Sequence, residues 1–388
     1  MLRCLSYSIF NTCCFVMQKL KRVLFILKFV LLITVGNVSA QARAATKELF
    51  QWETLPPIPD SVGFAGSFAG VADDVLIVAG RSNFPNGGTP WNGGTKKWYD
   101  KIFVLEKPKA KWKEAGSLPF PLGYGVSVST KQGLMLIGGS NENGHVASVL
   151  LLHYRHGKIE IENLSSLPFA LANSCGALVG DKIFIAGGLA SPSSPSTENK
   201  FLCLDLKEKN SSWKQLPAWP GPSRMLAVAA ASNNCFYLFS GTELKDGKRV
   251  YLNDAYSFSE EKGWRKLADL PNAVVAAPSP AFNFGRNELF IFGGDDGKDA
   301  ANATMLKEKH PGFSDKILQY KINKDSWSIA GEIYASKKID FIENPNHSIW
   351  APVTTPLIIW KNNIVLAGGE VRPGTRTPNV LMAKPSNK

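Results

Sequence analysis

Near the C-terminus a carboxylate stands among guanidinium groups in a turn that glycine and proline hold rigid: Glu370-Val371-Arg372-Pro373-Gly374-Thr375-Arg376-Thr377. A set of this kind can move a proton or grip an anion. It can equally be a solvated ion pair, which contributes little to stability. Other chemistries find no support in the residues. The five histidines (His145, His153, His156, His310, His347) are scattered without H-x-x-x-H or H-E-x-x-H spacing, which disfavours a metal. There is no G-x-S-x-G elbow and no P-loop, so no cofactor is expected.

What positions Glu370 is the stretch before it, Ile364-Val365-Leu366-Ala367-Gly368-Gly369, a buried strand stopped by paired glycines. The pattern recurs at Leu76–Gly80, Leu136–Gly139, Phe184–Gly188, Tyr237–Gly241 and Phe290–Gly294, giving six units. Their last glycines (80, 139, 188, 241, 294, 369) are 59, 49, 53, 53 and 75 residues apart. A second phrase, a Trp followed by Leu-Pro, recurs with them: Trp52 before Leu55-Pro56, Trp112 before Leu118-Pro119, Trp213 before Leu216-Pro217 and Trp264 before Leu270-Pro271. Trp327 holds the same place without the Leu-Pro, and Leu167-Pro168 has lost its Trp.

Each unit therefore reads as four antiparallel strands. Six such kelch-type blades around an axis make an all-β, six-bladed propeller. The sixth unit lacks a Trp strand, and Trp52 lacks a blade. The N-terminal strand, within residues 48–59, should therefore close the sixth blade against residues 360–385. Two segments exceed blade length, Arg81 to Asp100 and Asp295 to Ser314, and are expected as surface loops near the binding face, the second with a short helix at Thr304 to Lys309. Asp340 to Ile349 is a third irregular piece.

Across the six units the residues after the last glycine are Arg81, Ser140, Leu189, Thr242, Asp295 and Glu370. Glu370 is thus no repeat-consensus residue, and something specific to its blade wants a carboxylate.

The chain has 388 residues, 44% hydrophobic and 20% charged, enough to bury a core and suggestive neither of disorder nor of a membrane bundle. Residues 1–40 read as a secretory signal peptide: Lys19, Lys21 and Arg22, an apolar run from Val23 to Val35, then Val38-Ser39-Ala40 with cleavage after Ala40. The run is short for a membrane span and is interrupted by Lys28, so no stable membrane insertion is expected. Met17 offers an alternative start, with residues 1–16 an over-extended reading. Residues 41–388 would be the propeller, periplasmic or secreted. Removing residues 1–40 deletes five basic residues and no acidic ones, lowering the formal charge from +12 to +7. With no Lys/Arg-rich run, this favours an anionic small molecule over nucleic acid. Cys175, Cys203 and Cys235 remain, odd in number and set in apolar strands, which reads as buried thiol rather than disulfide or metal.

The stretch Gly369 to Thr377 resembles the G-E-x-x-P-G-x-R-T motif of the N-acetylneuraminate epimerases, the sialic acid mutarotases. Residues 60–80 resemble the segment that follows this motif blade in that family, and their position at the front matches the group of cyclically permuted mutarotases. Moving the cut in a closed propeller leaves its contacts in place. Pro220-Gly221-Pro222-Ser223-Arg224 resembles the family's G-P-R turn with Ser223 added. Gly123-Tyr124-Gly125-Val126-Ser127 resembles its A-Y-G-V-S stretch, with Leu122 where the family has Arg and Ser140 where it has Glu after the next glycines.

The resemblance implies a proton acceptor at Glu370 and substrate-binding roles for Arg376, Arg372, Arg224, Tyr124 and Arg81, in an isomerase that speeds α to β anomerisation of N-acetylneuraminate or a related sugar acid. Ring opening needs only proton transfers and no cofactor. The reading from a different class is a non-catalytic kelch module that binds a glycan or a protein at its channel face.

Overall fold

The computed structural model describes residues 48–85, 88–334 and 350–386. The expected leader and the piece from Asp340 to Ile349 lie outside the described residues. Among the described residues are six four-stranded antiparallel sheets, each a meander with its strands in order except the last. Blade 1 runs through Phe68–Ala72, Val75–Asn83, Lys97–Leu105 and Lys113–Ser117. Blades 2 to 5 repeat this from Val126, Cys175, Val228 and Phe282. Blade 6 takes Leu357–Trp360, Asn363–Ala367 and Val380–Pro385, and its outer strand is Phe50–Leu55 from the other end of the chain. Trp52 lies opposite Ala383 and Leu55 opposite Val380, the closure expected from the orphaned Trp strand.

The core is divided into six apolar clusters, each joining strands of two neighbouring blades. One, containing Phe64, Val78, Trp360 and Met382, spans blades 6 and 1, so the closure is packed like the other interfaces. The next contains Phe68, Ile77, Leu136 and Leu152 from blades 1 and 2.

The recurring Trp and Leu-Pro phrases are two ends of one contact. Trp112 Nε1–H donates to Pro56 O at 2.7 Å, Trp213 to Ser165 O at 3.1 Å, Trp264 to Pro217 O at 2.8 Å and Trp327 to Ala268 O at 2.9 Å. Each half-buried indole packs apolar surface while its one polar atom reaches the turn of the preceding blade.

The glycine pairs end the second strands where neighbouring backbone passes close. At Gly187, with φ +66, a Cβ would stand 2.2 Å from Arg224 O. Blade 1 has a single glycine at this point, and its register shifts between Ala79 and Arg81. Bridges that follow the glycines pair Ala65 with Ser82, Gly123 with Ser140, Ala172 with Leu189, Met225 with Thr242, Val275 with Asp295 and Val353 with Glu370. Ser82, not Arg81, is therefore the blade 1 counterpart of Glu370. Arg81 stands in the place of a second glycine.

Beside these bridges, one residue per blade adopts left-handed φ: Gly66, Tyr124, Asn173, Leu226, Ala276 and Thr354, between 54° and 66°. Their backbones form a closed ring. Tyr124 N–H donates to Gly66 O, Asn173 to Tyr124 O, Leu226 to Asn173 O, Ala276 to Leu226 O, Thr354 to Ala276 O and Gly66 to Thr354 O, each at 2.7–2.8 Å.

Candidate active site

Five of these ring residues, from Tyr124 to Thr354, line a cavity of about 1010 Å³ at one end of the axis, large enough for a sugar-sized ligand. Long loops build its walls, as their excess length predicts. The blade 1 loop contributes Phe84, Pro90 and Lys96; the blade 5 loop contributes Ala300, Ala303, His310 and Phe313. The latter carries a helical turn at Ala303–Leu306. Trp91 Nε1–H donates to Glu308 Oε1 at 2.8 Å, tying the two loops together.

Glu370 and Arg376 enter the cavity from a two-stranded hairpin, Glu370–Arg372 and Thr375–Arg376, in which they are direct cross-strand partners. The turn needs Gly374 at φ +77, and its N–H donates to Glu370 Oε1 at 2.8 Å. Glu370 Oε2 faces Arg376 Nη2 at 3.5 Å. Arg376 is 4% exposed, its Cζ lies 4.5 Å above the Phe84 ring, and its Nε and Nη1 have no hydrogen-bond partner among the described residues. Tyr124 also lines the cavity, its hydroxyl 2.7 Å from Ser82 Oγ. The structure thus brings Glu370, Arg376 and Tyr124 together.

The other three expected substrate-binding residues do not line this cavity, and each guanidinium is buried and bonded to protein partners. Arg224 is 0% exposed; it bonds both oxygens of Asp254 at 2.8 Å and Ser240 O at 2.8 Å. Burial pushes the Asp254 carboxyl up, but the hydrogen bonds and charge of Arg224 outweigh it and hold the group below its usual range. Arg81 pairs with Asp60 at 3.4 Å and is enclosed by the Phe64, Tyr99 and Phe103 rings. Arg372 donates to Thr375 Oγ1 at 3.2 Å and to Glu308 O, clamping the hairpin to the blade 5 loop. Leu122, where the family shows Arg, is core between blades 1 and 2.

Of the further cavity residues Asp295, His310, Trp98 and His145, Asp295 alone had a signal of spacing. His310 is 5% exposed, accepts the Gly312 N–H at Nδ1 (3.2 Å), and is held below its ordinary pKa by burial, with the Arg372 charge adding to this and the carboxylates of Asp299, Asp295 and Glu370 opposing it. Asp295, at the position in blade 5 that Glu370 holds in blade 6, accepts Tyr251 Oη–H at 2.7 Å and Gly297 N–H at 2.9 Å. The repeat alignment alone picks out Asp295 as the second carboxylate in this ring of positions. His310 and His145 come from a loop and a hairpin outside the repeat, and Trp98 from the start of the blade 1 strand Lys97–Leu105. Cys175, Cys203 and Cys235, the cysteines among the described residues, are free, and burial pushes the Cys175 thiol up to about 12.

A model of the N-acetylneuraminate epimerase family matches residues 31–161 and 164–388. An N-acetylneuraminate epimerase of Haemophilus influenzae (strain 86-028NP) is 26% identical over 239 residues, 56% of this chain and 58% of that protein. One from Yersinia enterocolitica (serotype O:8 / biotype 1B) is 38% identical over 109 residues, 26% of this chain and 27% of that protein. A kelch domain-containing protein of Vibrio cholerae is 31% identical over 241 residues, 56% of this chain and 63% of that protein. The chain thus spans between about a quarter and under two thirds of these relatives. The solved structure of YjhT shares the fold at a TM-score of 0.59 and 16% identity, covering 84% of this chain and 96% of that one. With a propeller of six kelch blades and a family match that runs through nearly all of it, the chain belongs to the N-acetylneuraminate epimerase family.

Proposed function

We propose that the protein is a sugar-acid mutarotase that interconverts the α and β anomers of N-acetylneuraminate or a close relative. The observation that carries this reading is the Glu370 carboxylate, fixed at Oε1 by Gly374 N–H and facing Arg376 at Oε2, on the wall of a sugar-sized cavity. In the proposed reaction Glu370 takes the proton of the anomeric hydroxyl. The oxygen's electrons form the carbonyl of the open chain, the bond from the anomeric carbon to the ring oxygen breaks, and the ring oxygen takes a proton from a second donor. Closure on the opposite face of the carbonyl reverses these steps and gives the other anomer. Arg376 suits the substrate carboxylate, since its Nε and Nη1 have no hydrogen-bond partner among the described residues and keep N–H donors for an anion.

The test is NMR of freshly released α-N-acetylneuraminate with and without protein. Acceleration of the β signal supports the enzyme. Binding without acceleration turns the protein into a carbohydrate-binding module. The same reading has the chain exported to the periplasm or beyond and cleaved after Ala40, which N-terminal sequencing of the mature protein checks: a first residue other than one near Gln41 rejects it.

A further inference from the structure

The blade 5 loop is docked on the hairpin that carries Glu370. Arg372 Nη1–H donates to Glu308 O, and a Cβ at Gly312 would stand 3.2 Å from Val371 O, so residues 308–312 run against residues 370–372. His310 lies midway along this segment and lines the cavity together with Glu370. The charge of the Glu370 carboxylate acts on its imidazole, which places the two groups within electrostatic reach of each other. The histidine is 5% exposed and turned so that Nδ1 accepts the Gly312 N–H at 3.2 Å. Burial favours the neutral ring, which carries one hydrogen. With Nδ1 engaged as an acceptor, that hydrogen is on Nε2.

Ring opening needs a donor for the ring oxygen, and the neighbouring groups on this wall are spent on one another. Tyr251 gives its hydroxyl hydrogen to Asp295 Oδ2 at 2.7 Å, and burial with that hydrogen bond pushes the phenol up. Asp295 also accepts the Gly297 N–H at Oδ1, so both its oxygens act as acceptors. Resting on the mutarotase reading, we propose that His310 is a second catalytic residue, which gives its Nε2–H to the ring oxygen as the ring opens. The anomeric hydroxyl and the ring oxygen share one carbon, so base and donor must flank one atom, as side chains of two docked segments can. Glu370 takes the hydroxyl proton, the bond from the anomeric carbon to the ring oxygen breaks, and its electron pair leaves an alkoxide. An alkoxide is basic enough to draw a proton from a neutral imidazole, which becomes imidazolate. On closure the new hydroxyl returns that proton to Nε2 as its oxygen attacks the carbonyl, and Glu370 protonates the carbonyl oxygen. Both residues end as they began. A neutral imidazole can serve an oxygen in this way where its surroundings disfavour the cation.

The experiment follows anomerisation of α-N-acetylneuraminate by NMR on the full chain and on its His310→Phe, His310→Gln and His310→Ala variants. His310→Phe keeps a ring and removes the donor, whereas the amide of His310→Gln keeps an N–H near the place of Nε2. His310→Phe should lower kcat by about 10²-fold, the low end of a general acid's contribution. KM should stay within about threefold of the parent's, because the interaction is made in the transition state. His310→Gln should recover about tenfold of that loss, its N–H standing in for the imidazole's. Free imidazole should restore His310→Ala in proportion to its concentration, above the rate it gives with Glu370→Gln. A residue that only props the loop is not replaced by a ring in solution. Recovery by either route upholds the donor; a loss that neither restores marks a structural role and overturns it. A loss confined to KM makes His310 a substrate contact and overturns it as well. A parent that accelerates nothing ends the mutarotase reading and the donor with it, whereas an active parent beside an undiminished His310→Phe removes the donor alone.

Discussion

Glu370 and Arg376 sit directly opposite each other across a two-stranded hairpin, with Arg376 Nη2 3.5 Å from Glu370 Oε2. Backbone register sets this approach, and the Gly374 N–H fixes the far oxygen of the carboxylate. The pair is therefore held by the turn that the Pro-Gly sequence encodes, and the two residues can be separated experimentally by what each substitution leaves behind.

Glu370→Gln preserves shape and the acceptor for Gly374 N–H while removing basicity. Anomerisation should fall by about 10²–10⁴-fold, the usual contribution of a general base. The melting temperature should stay near that of the parent. Catalysis equal to the parent's would put the base elsewhere.

Arg376→Lys should raise KM by about tenfold or more and change kcat less, because an ammonium is a point charge and cannot make a two-pronged contact with a carboxylate. Steady-state kinetics by NMR read the split. An unchanged KM removes Arg376 from substrate binding.

Arg224→Met tests the opposite case. It would leave the half-buried Asp254 with the Tyr256 hydroxyl but without its guanidinium, and should destabilise the protein by up to about 3 kcal/mol. Denaturant melts measure this. A stable variant with a raised KM would return Arg224 to the substrate site.

His145 and His310 are both held below the ordinary value of 6.5 by burial, so the folded protein binds their protons less readily than the unfolded chain. Stability should then fall as pH drops through about 6.5 toward the folded-state values and level off below them, because the unfolded state takes up more protons in that window. Denaturation between pH 7.5 and 5 (roughly the span of histidine titration) should show this slope, and His145→Phe with His310→Phe should flatten it. An unchanged slope in the double variant would show that other groups carry it.

Deleting residues 46–59 removes the outer strand of blade 6 and bares the edge of Val380–Pro385. An unpaired edge of this kind templates association. The truncated chain should elute as aggregate in size-exclusion chromatography; a soluble monomer of native melting temperature would mean that the closure contributes little.

The propeller was legible because its repeats answer to local physics. A Cβ at Gly187 would collide with Arg224 O, so the glycine pairs cannot drift, and each Trp must reach a carbonyl in the preceding turn. Closure was legible from an imbalance, a Trp52 without a blade. Glu370 stood out because its counterparts differ from it. What stayed hidden depends on partners distant in sequence: Arg224 and Arg81 look like anion ligands until Asp254 and Asp60 claim them. Arg81 was further misaligned because blade 1 replaces the second glycine with that arginine. Trp98, His145 and His310 lie outside any period, and only the folding of separate blades onto one axis brings them to a common cavity.

The ring of six backbone hydrogen bonds has a consequence for how such a mouth changes over time. Convergent amide hydrogens commonly trap anions, but here the six of this ring are spent on one another. An incoming sugar acid is left to side chains, those of the ring residues themselves and those of the loops and hairpins around them. Selectivity can be rewritten one residue at a time while the foundation stays untouched, which makes this architecture evolvable where recognition by the backbone would not be.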